Sequence, residues 1–381
     1  MTHDPEWQRS FAELALRLNP HLGGAALLYH GPPEWSARIE GEEPRPVGAL
    51  AADAARLLER DLAPDQRATV GAMRAVARFL DGRLGFRDLA AQVTGLEPRW
   101  VPESVFARAH DRLAAALPAG SGPLADRWHA WQRAHALADT GRIPALVEKA
   151  VAETRARTAA IVALPPDEVV ECTLVPEAHF HFAGLYRGGV RSTIFVNTSV
   201  PFVVADLLYA VAHEGHPGHI AEALVKVRGA TRTDQRVRFL FSPPFALGEG
   251  LGLCAEEIVF PGDEAQRWLA DTVHPDVGVE RDGSDLAAIH LARNELWGVW
   301  ANAALMAADG RPERELADYL ARWALLDDAE IAKAVPMVRP SPMSAYVIGY
   351  FHAWELLRPW LRDRANVRLL LTEHLLPGDI R

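Results

Sequence analysis

Three histidines and one glutamate lie within residues 213–219, whose sequence is His-Glu-Gly-His-Pro-Gly-His. Neutral imidazole is a common zinc ligand, and a carboxylate next to it can serve as a general base. The segment therefore predicts a metal site, and the expected chemistry is hydrolysis by a water molecule that the metal activates. The alternative is a junction between two helices whose surface histidines bind nothing.

The spacing of the cluster differs from the common His-Glu-x-x-His motif. His216 and His219 lie three and six residues after His213, and the fourth position is Pro217. Proline cannot donate a backbone hydrogen bond and disfavours helical angles in the residue before it, and a glycine follows it here. We expect the helix to kink inside the motif. A two-residue expansion there would bring His219 to the place of the second motif histidine, with Glu214 still beside the metal-bound water.

The motif resembles the His-Glu-x-x-Pro-Gly-His-His signature of the DUF885 family, a group of predicted zinc metallopeptidases placed among the zincins. Two later stretches resemble family segments in the same order. Residues 245–256 resemble its Glu-Gly-Trp-Ala-x-Tyr-x-Glu helix, and residues 342–350 resemble its Pro-Gly-Gln-Ala-x-Ser-Tyr-x-x-Gly segment. The resemblance covers residues 166–360 and implies a multi-helical, zincin-like metallopeptidase fold.

Several positions depart from the family pattern. Ile220, Leu251 and Cys254 stand where the family has a histidine, a tryptophan and a tyrosine. Family members also carry a late Asp-x-Gly-x-His stretch, where this chain has residues 302–306 and no histidine. That histidine would be a candidate donor to the transition state. Its absence favours the second functional hypothesis, a zincin scaffold that has lost catalysis and has a binding or regulatory role.

Charge and coordination chemistry lead to a specific set of metal ligands. We predict that His213, His219 and Glu249 bind zinc, with His216 as the alternative ligand. Two imidazoles and one carboxylate leave zinc with net positive charge and an open position for water. Glu214 is then the predicted general base, which takes the proton of that water and passes it to the leaving group.

Three further residues near these motifs have predicted roles. Glu256 and Glu257 are candidates to orient a ligand imidazole, although either could simply solvate its helix. Tyr346 matches the family's tyrosine, and the resemblance implies that it donates to the oxyanion formed from the substrate carbonyl. A buried tyrosine with a satisfied hydroxyl is an equally good interpretation of Tyr346.

The predicted substrate is a peptide or another small amide. A substrate with a free carboxylate would need an arginine, and Arg187, Arg191 and Arg339 lie near the relevant segments. The sequence does not choose among these three. Endopeptidase, carboxypeptidase and non-peptide amidase activities therefore all remain open.

Composition narrows the classes of partner and location. The 381 residues are 49% hydrophobic, which is ample for a buried core, and the net charge of −10 argues against a nucleic-acid surface. The sequence has no long apolar run and does not begin like a signal peptide, so we expect no membrane role. Cys172 and Cys254 are too few for a disulfide framework, and a reducing cytoplasm is the predicted location.

The positions of apolar residues predict a mainly α fold in two regions. Residues 1–165 form an N-terminal helical region, and residues 166–381 form the zincin-like catalytic region. Apolar spacing predicts helices over residues 7–18, 47–62, 68–80, 105–117, 124–137 and 143–162, and later over 203–211, 245–260, 285–308, 313–325, 329–335 and 344–362. The glycines at 248, 250 and 252 let their helix approach another backbone closely, which would direct Glu249 at a metal.

A small β-sheet is expected just before the metal-binding helix. Residues 169–175 and 192–198 are rich in β-branched residues and predict two strands. Residues 194–198 could be the edge strand that pairs with an extended substrate, or part of an ordinary hairpin. His179 and His181 alternate along one predicted strand face and could point into a cleft or into solvent.

Overall fold

Most apolar runs with three- and four-residue spacing form helices, as predicted. The computed structural model of the protein describes residues 4–178 and 180–381. Within them the helices are α1 (Pro5–Leu18), α2 (Pro33–Ile39), α3 (Val47–Leu58), α4 (Pro64–Leu80), α5 (Phe86–Thr94), α6 (Glu103–Ala116), α7 (Leu124–Ala134), α8 (Ile143–Ala159), α9 (Leu207–Glu214), α10 (His219–Gly229), α11 (Pro243–Val259), α12 (Glu264–Thr272), α13 (His274–Val277), α14 (Leu286–Ala308), α15 (Glu313–Ala324), α16 (Asp328–Val338), α17 (Pro342–Trp360) and α18 (Arg364–Thr372). Short 3-10 helices cover Asn19–Leu22, Thr140–Arg142, Val204–Asp206, Thr233–Arg236 and Pro377–Asp379. The mainly α prediction is confirmed, while short helices such as α2, α5, α12 and α18 have no counterpart among the predicted runs.

Local capping explains where the two long helices of the C-terminal half begin. The Asp285 carboxylate accepts a hydrogen bond from the backbone N–H of Ala288 at the start of α14. The Ser341 hydroxyl accepts one from the N–H of Ser344 at the start of α17, and Pro342 occupies the first turn. Each cap satisfies a donor that has no partner within the helix, so both starting points are fixed by the sequence.

The main sheet has three strands, β2 (Val169–Val175), β3 (Phe182–Gly188) and β4 (Arg191–Asn197), in the order β2-β4-β3. Strand β4 pairs in parallel with β2 and antiparallel with β3. The prediction that residues 194–198 form an edge strand is therefore wrong, because β4 is the central strand. Its nearly continuous burial is typical of a strand with neighbours on both sides. The edge strand next to the histidine motif is β3, which is not one of the two predicted strands.

The N-terminal and C-terminal regions share one interior. Strand β1 (Leu27–Tyr29) pairs antiparallel with β5 (Val237–Phe239), so a strand from each region completes the second sheet. The main cluster of buried apolar residues runs from Trp7 to Ile380. In the described part of the chain, no helix is long and apolar enough to cross a membrane.

Helix α11 crosses the centre of this interior, and its glycines set how closely α17 packs against it. A Cβ atom placed on Gly250 would lie 2.7 Å from the carbonyl carbon of Ala353 on α17. Real Cβ atoms do not approach backbone atoms so closely, so only glycine permits this helix contact. The contact fixes the position of α11, which carries Glu249.

We predict that Gly250→Ala destabilises the protein by about 1–3 kcal/mol, the usual cost of overpacking a tight interior. Gly71→Ala is the matched control, because a Cβ on Gly71 in the middle of α4 has no atom within 4 Å. That control should be neutral or stabilising by about 0.4–1 kcal/mol. Urea unfolding of both variants measures the difference. Equal stability of the two would mean that α11 and α17 are farther apart than described here.

Candidate metal centre

The histidine motif lies at an interruption between two helices. Helix α9 ends at Glu214 and α10 begins at His219. The N–H of Gly218 donates to the carbonyl of Ala212 at 3.0 Å, and the N–H of Ala221 donates to the carbonyl of Gly215 at 3.0 Å. These partners are six residues apart instead of the four of a regular helix. The predicted kink with a two-residue expansion is therefore present.

The glycines of the motif are required by this geometry. A Cβ atom on Gly218 would lie 1.7 Å from the carbonyl oxygen of His213, and one on Gly215 would lie 2.6 Å from that of Val211. Neither position can carry a larger side chain without moving the backbone. The interruption brings the His213 and His219 rings edge to face, with centroids 4.8 Å apart.

Three of the predicted ligands converge at this point. His213 Nε2 lies 3.3 Å from Glu249 Oε2, and His219 Nε2 lies 3.4 Å from Glu249 Oε1. One potential ligand atom from each residue falls within 4.8 Å of the others. Ligands of a tetrahedral zinc at about 2.0–2.2 Å are separated by about 3.4 Å, which is close to these distances.

One atom of this cluster is left without a hydrogen bond. Glu249 Oε2 is buried and has no donor among the described residues. A buried carboxylate oxygen without a donor is costly unless a cation balances it. The donor set of two imidazoles and one carboxylate therefore fits a zinc ion, which these three residues would hold.

Glycines on α11 make room for the cluster. A Cβ atom on Gly252 would lie 2.6 Å from Cε1 of His213, so the imidazole rests directly on the α11 backbone. A Cβ on Gly248 would lie 3.1 Å from Oε2 of Glu222, next to His219. The spaced glycines, which lie inside α11, thus allow the close approach that the sequence predicts.

The charges of the cluster are strongly coupled. Burial would raise the pKa of Glu249, but the His219 and His213 imidazoles outweigh burial and hold that pKa well below its usual range. Burial would lower the pKa of His219, yet the charge of Glu249 and the hydrogen bond to it raise this pKa to about 9. Without metal, the carboxylate is ionised and shares its charge with a protonated imidazole. A metal ion would take the place of that proton.

His216, the alternative ligand, lies outside this cluster. Its ring is fully buried, and Nε2 hydrogen-bonds Glu168 Oε1 at 3.0 Å. Glu168 also accepts a hydrogen bond from Arg155 Nε at 2.9 Å. His216 thus connects the motif to the α8–β2 connection by a buried hydrogen bond.

Glu214 adjoins the cluster without belonging to the ligand set. Its Oε1 lies 3.9 Å from His213 Nε2, and its Oε2 accepts a hydrogen bond of 2.7 Å from the backbone N–H of Gly184 on β3. A Cβ on Gly184 would lie 2.1 Å from the Glu214 carbonyl oxygen, so β3 passes directly against the motif. One carboxylate oxygen of Glu214 is therefore fixed, and the other faces the ligands.

Two tyrosines of α17 lie near Glu249. The buried Tyr346 hydroxyl donates to Glu249 Oε1 in a short hydrogen bond. Tyr350, one helical turn later and only half buried, lies close enough to Glu249 for that carboxylate to affect its pKa. Burial, reinforced by the charges of Glu249 and Glu214, raises the pKa of Tyr350 well above its usual value. Only Tyr346 has a predicted role, and the four-residue spacing was the signal that placed Tyr350 on the same helix face.

The two glutamates that follow on α11 have other partners. Glu256 Oε2 lies 2.5 Å from Nδ1 of buried His290, whose Nε2 lies 3.3 Å from Asp206 Oδ1. Glu257 is at the surface in an ion pair with Arg358. Neither glutamate contacts a ligand imidazole through a hydrogen bond in the described residues.

The three arginines proposed to bind a substrate carboxylate are engaged elsewhere. Arg187 Nε donates to Thr193 Oγ1 at 2.9 Å, and its guanidinium lies over the Phe195 ring. Arg191 and Arg339 form exposed ion pairs with glutamates of neighbouring elements. His179 lies outside the described residues, and the exposed His181 precedes β3.

The asparagine in place of the late histidine stretch serves helix packing. The Asn302 side chain accepts a hydrogen bond from the N–H of Val101 and donates one to its carbonyl, each at 2.8 Å. It is fully buried. Asn302 therefore replaces no donor at the metal cluster.

Comparison with known proteins identifies a similar fold. No family model and no curated protein matches the chain. The crystal structure of the "putative lipoprotein" from Colwellia psychrerythraea is 14% identical, with a TM-score of 0.55, and the match covers 87% of this chain and 65% of that chain. The structure of a "putative lipoprotein of unknown function" from Shewanella oneidensis is 13% identical, with a TM-score of 0.47, covering 90% of this chain and 76% of that chain. This chain thus spans 65% of the Colwellia protein, and the likeness to it shows a shared fold alone.

We predict about one zinc per chain, bound by His213, His219 and Glu249. His219→Ala and Glu249→Ala should each lose most of it, because each removes one of only three protein ligands. His216→Gln is the control, since glutamine can still hydrogen-bond Glu168 and this side chain does not face the cluster. Elemental analysis of protein purified without added metal measures the zinc content.

The opposite pattern, with zinc lost in His216→Gln and retained in His219→Ala, would contradict the ligand assignment. Full zinc in Glu249→Ala would remove Glu249 from the site. Thermal unfolding of each variant separates loss of a ligand from loss of the fold.

Proposed function

We propose that the protein is a zinc-dependent hydrolase, specifically a metallopeptidase, that cleaves peptide or other amide bonds. The observation that carries this proposal is the convergence of His213, His219 and Glu249 with Glu214 beside them. Three ligands leave a catalytic metal one open position, and an adjacent carboxylate that is not a ligand can act as base. We further propose that the fold is zincin-like and that the chain is a divergent, short member of the DUF885 family.

The roles of the residues follow from their positions. When bound, zinc would polarise the substrate carbonyl and make a water molecule acidic near neutral pH. Glu214 accepts a proton from that water on Oε1, while the N–H of Gly184 holds Oε2 in place. The water oxygen forms a bond with the carbonyl carbon, and the C–N bond then breaks. Glu214 passes its proton to the nitrogen of the leaving amine.

Tyr350 is better placed than Tyr346 to donate a hydrogen bond to the oxyanion. The Tyr346 hydroxyl is buried and donates to Glu249, so it orients that carboxylate. Tyr350 is half buried and lies close enough to Glu214 for that charge to raise its pKa. A phenol with a raised pKa keeps its proton and can donate it in a hydrogen bond to a developing oxyanion. We therefore assign Tyr346 to positioning and Tyr350 to the transition state.

Strand β3 is the edge strand of the main sheet that lies next to the motif. Since the N–H of Gly184 points to Glu214 and away from β4, the outward edge of β3 faces the motif. An extended substrate could pair with this edge, which supplies register through the main chain. This assigns to β3 the part expected of residues 194–198.

The second candidate function is a binding or regulatory role on the same scaffold. The absence of the family's late histidine favours it, because Asn302 does not supply a donor at the site. This candidate differs from the first in one measurable way, the failure of a metal-loaded protein to hydrolyse any substrate.

The cytoplasmic location stays a prediction.

Glu214→Gln should keep zinc and the fold but reduce hydrolysis by at least ~100-fold, the scale of losing a general base. The matched control is Glu257→Gln, a glutamate of α11 that pairs with Arg358 at the surface. Turnover of a library of N-acyl dipeptides and amides by zinc-loaded protein is the measurement. Unchanged turnover in Glu214→Gln would place the base elsewhere, and no turnover by the wild type would favour the binding role.

Tyr350→Phe should lower kcat by about 10²–10³-fold with zinc retained, as expected when one oxyanion donor is lost. Tyr346→Phe should instead weaken zinc binding by about 10–100-fold, because Glu249 loses the donor that orients it. Steady-state kinetics and metal titration of both variants distinguish the two roles. If Tyr346→Phe lowers kcat at full zinc occupancy and Tyr350→Phe does not, the assignments must be exchanged.

A further inference from the structure

Five half-buried side chains form what we call the rim, which consists of Tyr209, Glu214, Arg293, Trp297 and Tyr350. The guanidinium carbon of Arg293 lies 5.2 Å from the centre of the Tyr209 ring. The Trp297 and Tyr350 rings lie 4.6 Å apart. The rim therefore combines a general base and aromatic surfaces with a single arginine.

The helices place Arg293 at a short distance from the metal ligands. Tyr209 precedes His213 by four residues on α9, so these side chains are neighbours separated by about 5–6 Å. Arg293, which lies on α14, stacks on Tyr209. The Arg293 guanidinium is therefore on the order of 10 Å from the His213 ring. Trp297 follows Arg293 by one turn and faces Tyr350, so α14 presents both residues to the same space.

The Arg293 guanidinium is held in place, but only some of its hydrogen-bond donors have a partner among the described residues. Nη1 donates to Asp206 Oδ1 at 2.5 Å. Nε and Nη2 make no hydrogen bond to any residue in the described part of the chain, and the side chain is 30% exposed. The Nε–Nη2 edge is one of the two edges of arginine that bind a carboxylate through paired hydrogen bonds. In contrast, the Nε–H of Arg187 already donates a hydrogen bond to Thr193.

Buried groups behind Arg293 fix its orientation. Asp206 is shared between Arg293 and His290, and His290 bonds Glu256 through its other nitrogen. Asp206 and His290 are therefore tied to α11 as well as to α14. A guanidinium held in this way loses little side-chain entropy when a ligand binds.

We propose that Arg293 binds the terminal carboxylate of the substrate, which makes the favoured substrate a peptide or acyl-amino acid with a free C-terminus. This inference rests on the proposed hydrolase function and deepens it. A residue spans at most about 3.3–3.6 Å, so one or two residues separate the cleaved bond from a carboxylate on Arg293. Trp297 and Tyr350 line that interval and suit an apolar or aromatic side chain in the released residue.

The activity test compares an N-acyl dipeptide acid that ends in phenylalanine with its C-terminal amide. Wild-type protein should cleave the acid at least ~10-fold faster in kcat/KM, and Arg293→Gln should lower kcat/KM for the acid by about 100-fold, the scale of a charge-assisted pair. The amide should change little, which also reports an intact fold. Arg293→Lys keeps the charge beside Asp206 but not the paired geometry, and should fall between.

Arg112→Gln is the matched control. Arg112 is 35% exposed and pairs with Glu295 of α14, so it resembles Arg293 in exposure and pairing but lies outside the rim. The ratio of its kcat/KM for the acid to its kcat/KM for the amide should equal that of the wild type. Loss of the ratio in Arg112→Gln to the same degree as in Arg293→Gln would overturn the proposal.

A binding measurement separates this proposal from the hydrolase function. Calorimetric titration of Glu214→Gln with the acid and the amide should show at least ~10-fold tighter binding of the acid, and adding Arg293→Gln should abolish the difference. Acid-selective binding through Arg293 without any turnover by the wild type would support the carboxylate site and overturn the hydrolase. Turnover without preference for the acid, or a preference that survives in Arg293→Gln, would overturn the carboxylate site and leave the hydrolase standing.

Discussion

The architecture of the site depends on the burial of the Glu249 carboxylate in the middle of a helical interior. Its side chain is only 6% exposed, and taking a charged carboxylate out of water costs several kcal/mol unless partners compensate. Two imidazoles and the Tyr346 hydroxyl supply part of that compensation. One oxygen still has no donor among residues 4–178 and 180–381, which a metal ion would correct. The partners can reach Glu249 only because the surrounding backbones come unusually close.

Glycine is what permits that approach, from three directions. Gly250 brings α11 against α17, and α17 carries the tyrosines. Gly252 lets the His213 ring rest on α11, while Gly218 lets the motif fold back over His213 before α10 begins. A side chain at any of these positions would push apart elements that deliver different ligands. The stability of the fold and the geometry of the site are thus set by the same contacts.

Ion pairs on both sides of the cluster fix the elements further. On α10, Glu222 accepts hydrogen bonds from Lys226 at 2.8 Å and from Arg238 at 2.9 Å. Burial would raise the pKa of Glu222, but these two cations hold it at about 2, so the carboxylate stays charged next to His219. On the opposite side, Asp206 is also held at a pKa of about 2, because Arg293 and His290 outweigh the effect of burial. Charged groups without such partners would not remain buried beside this cluster.

The sequence predicts the parts of this site that depend on local chemistry. The proline and glycine in the motif predict the kink, and the glycines flanking Glu249 predict a close helix contact. The order of the strands cannot be predicted from local sequence in this way, because it depends on which strands pair and on burial of both faces. The β-branched run alone did not distinguish the central strand β4 from an edge strand. The positions of Arg293 and Tyr350, to which we assign proposed roles, are non-local as well, since each lies on a helix far along the chain from the motif. Only the i, i+4 spacing from Tyr346 to Tyr350 offered a local signal.

The departures from the family pattern differ in what they change. Ile220, Leu251 and Cys254 are all buried in the apolar interior, and none belongs to the metal cluster. At such positions an apolar side chain preserves packing, so these replacements leave the ligand geometry to the glycines and to Glu249. The absence of the late histidine of that pattern differs in kind, because a histidine there would be a candidate donor. In the mechanism that we propose, Tyr350, whose pKa is raised by burial and by the nearby Glu249 and Glu214, keeps its hydroxyl proton and meets the same electrostatic need.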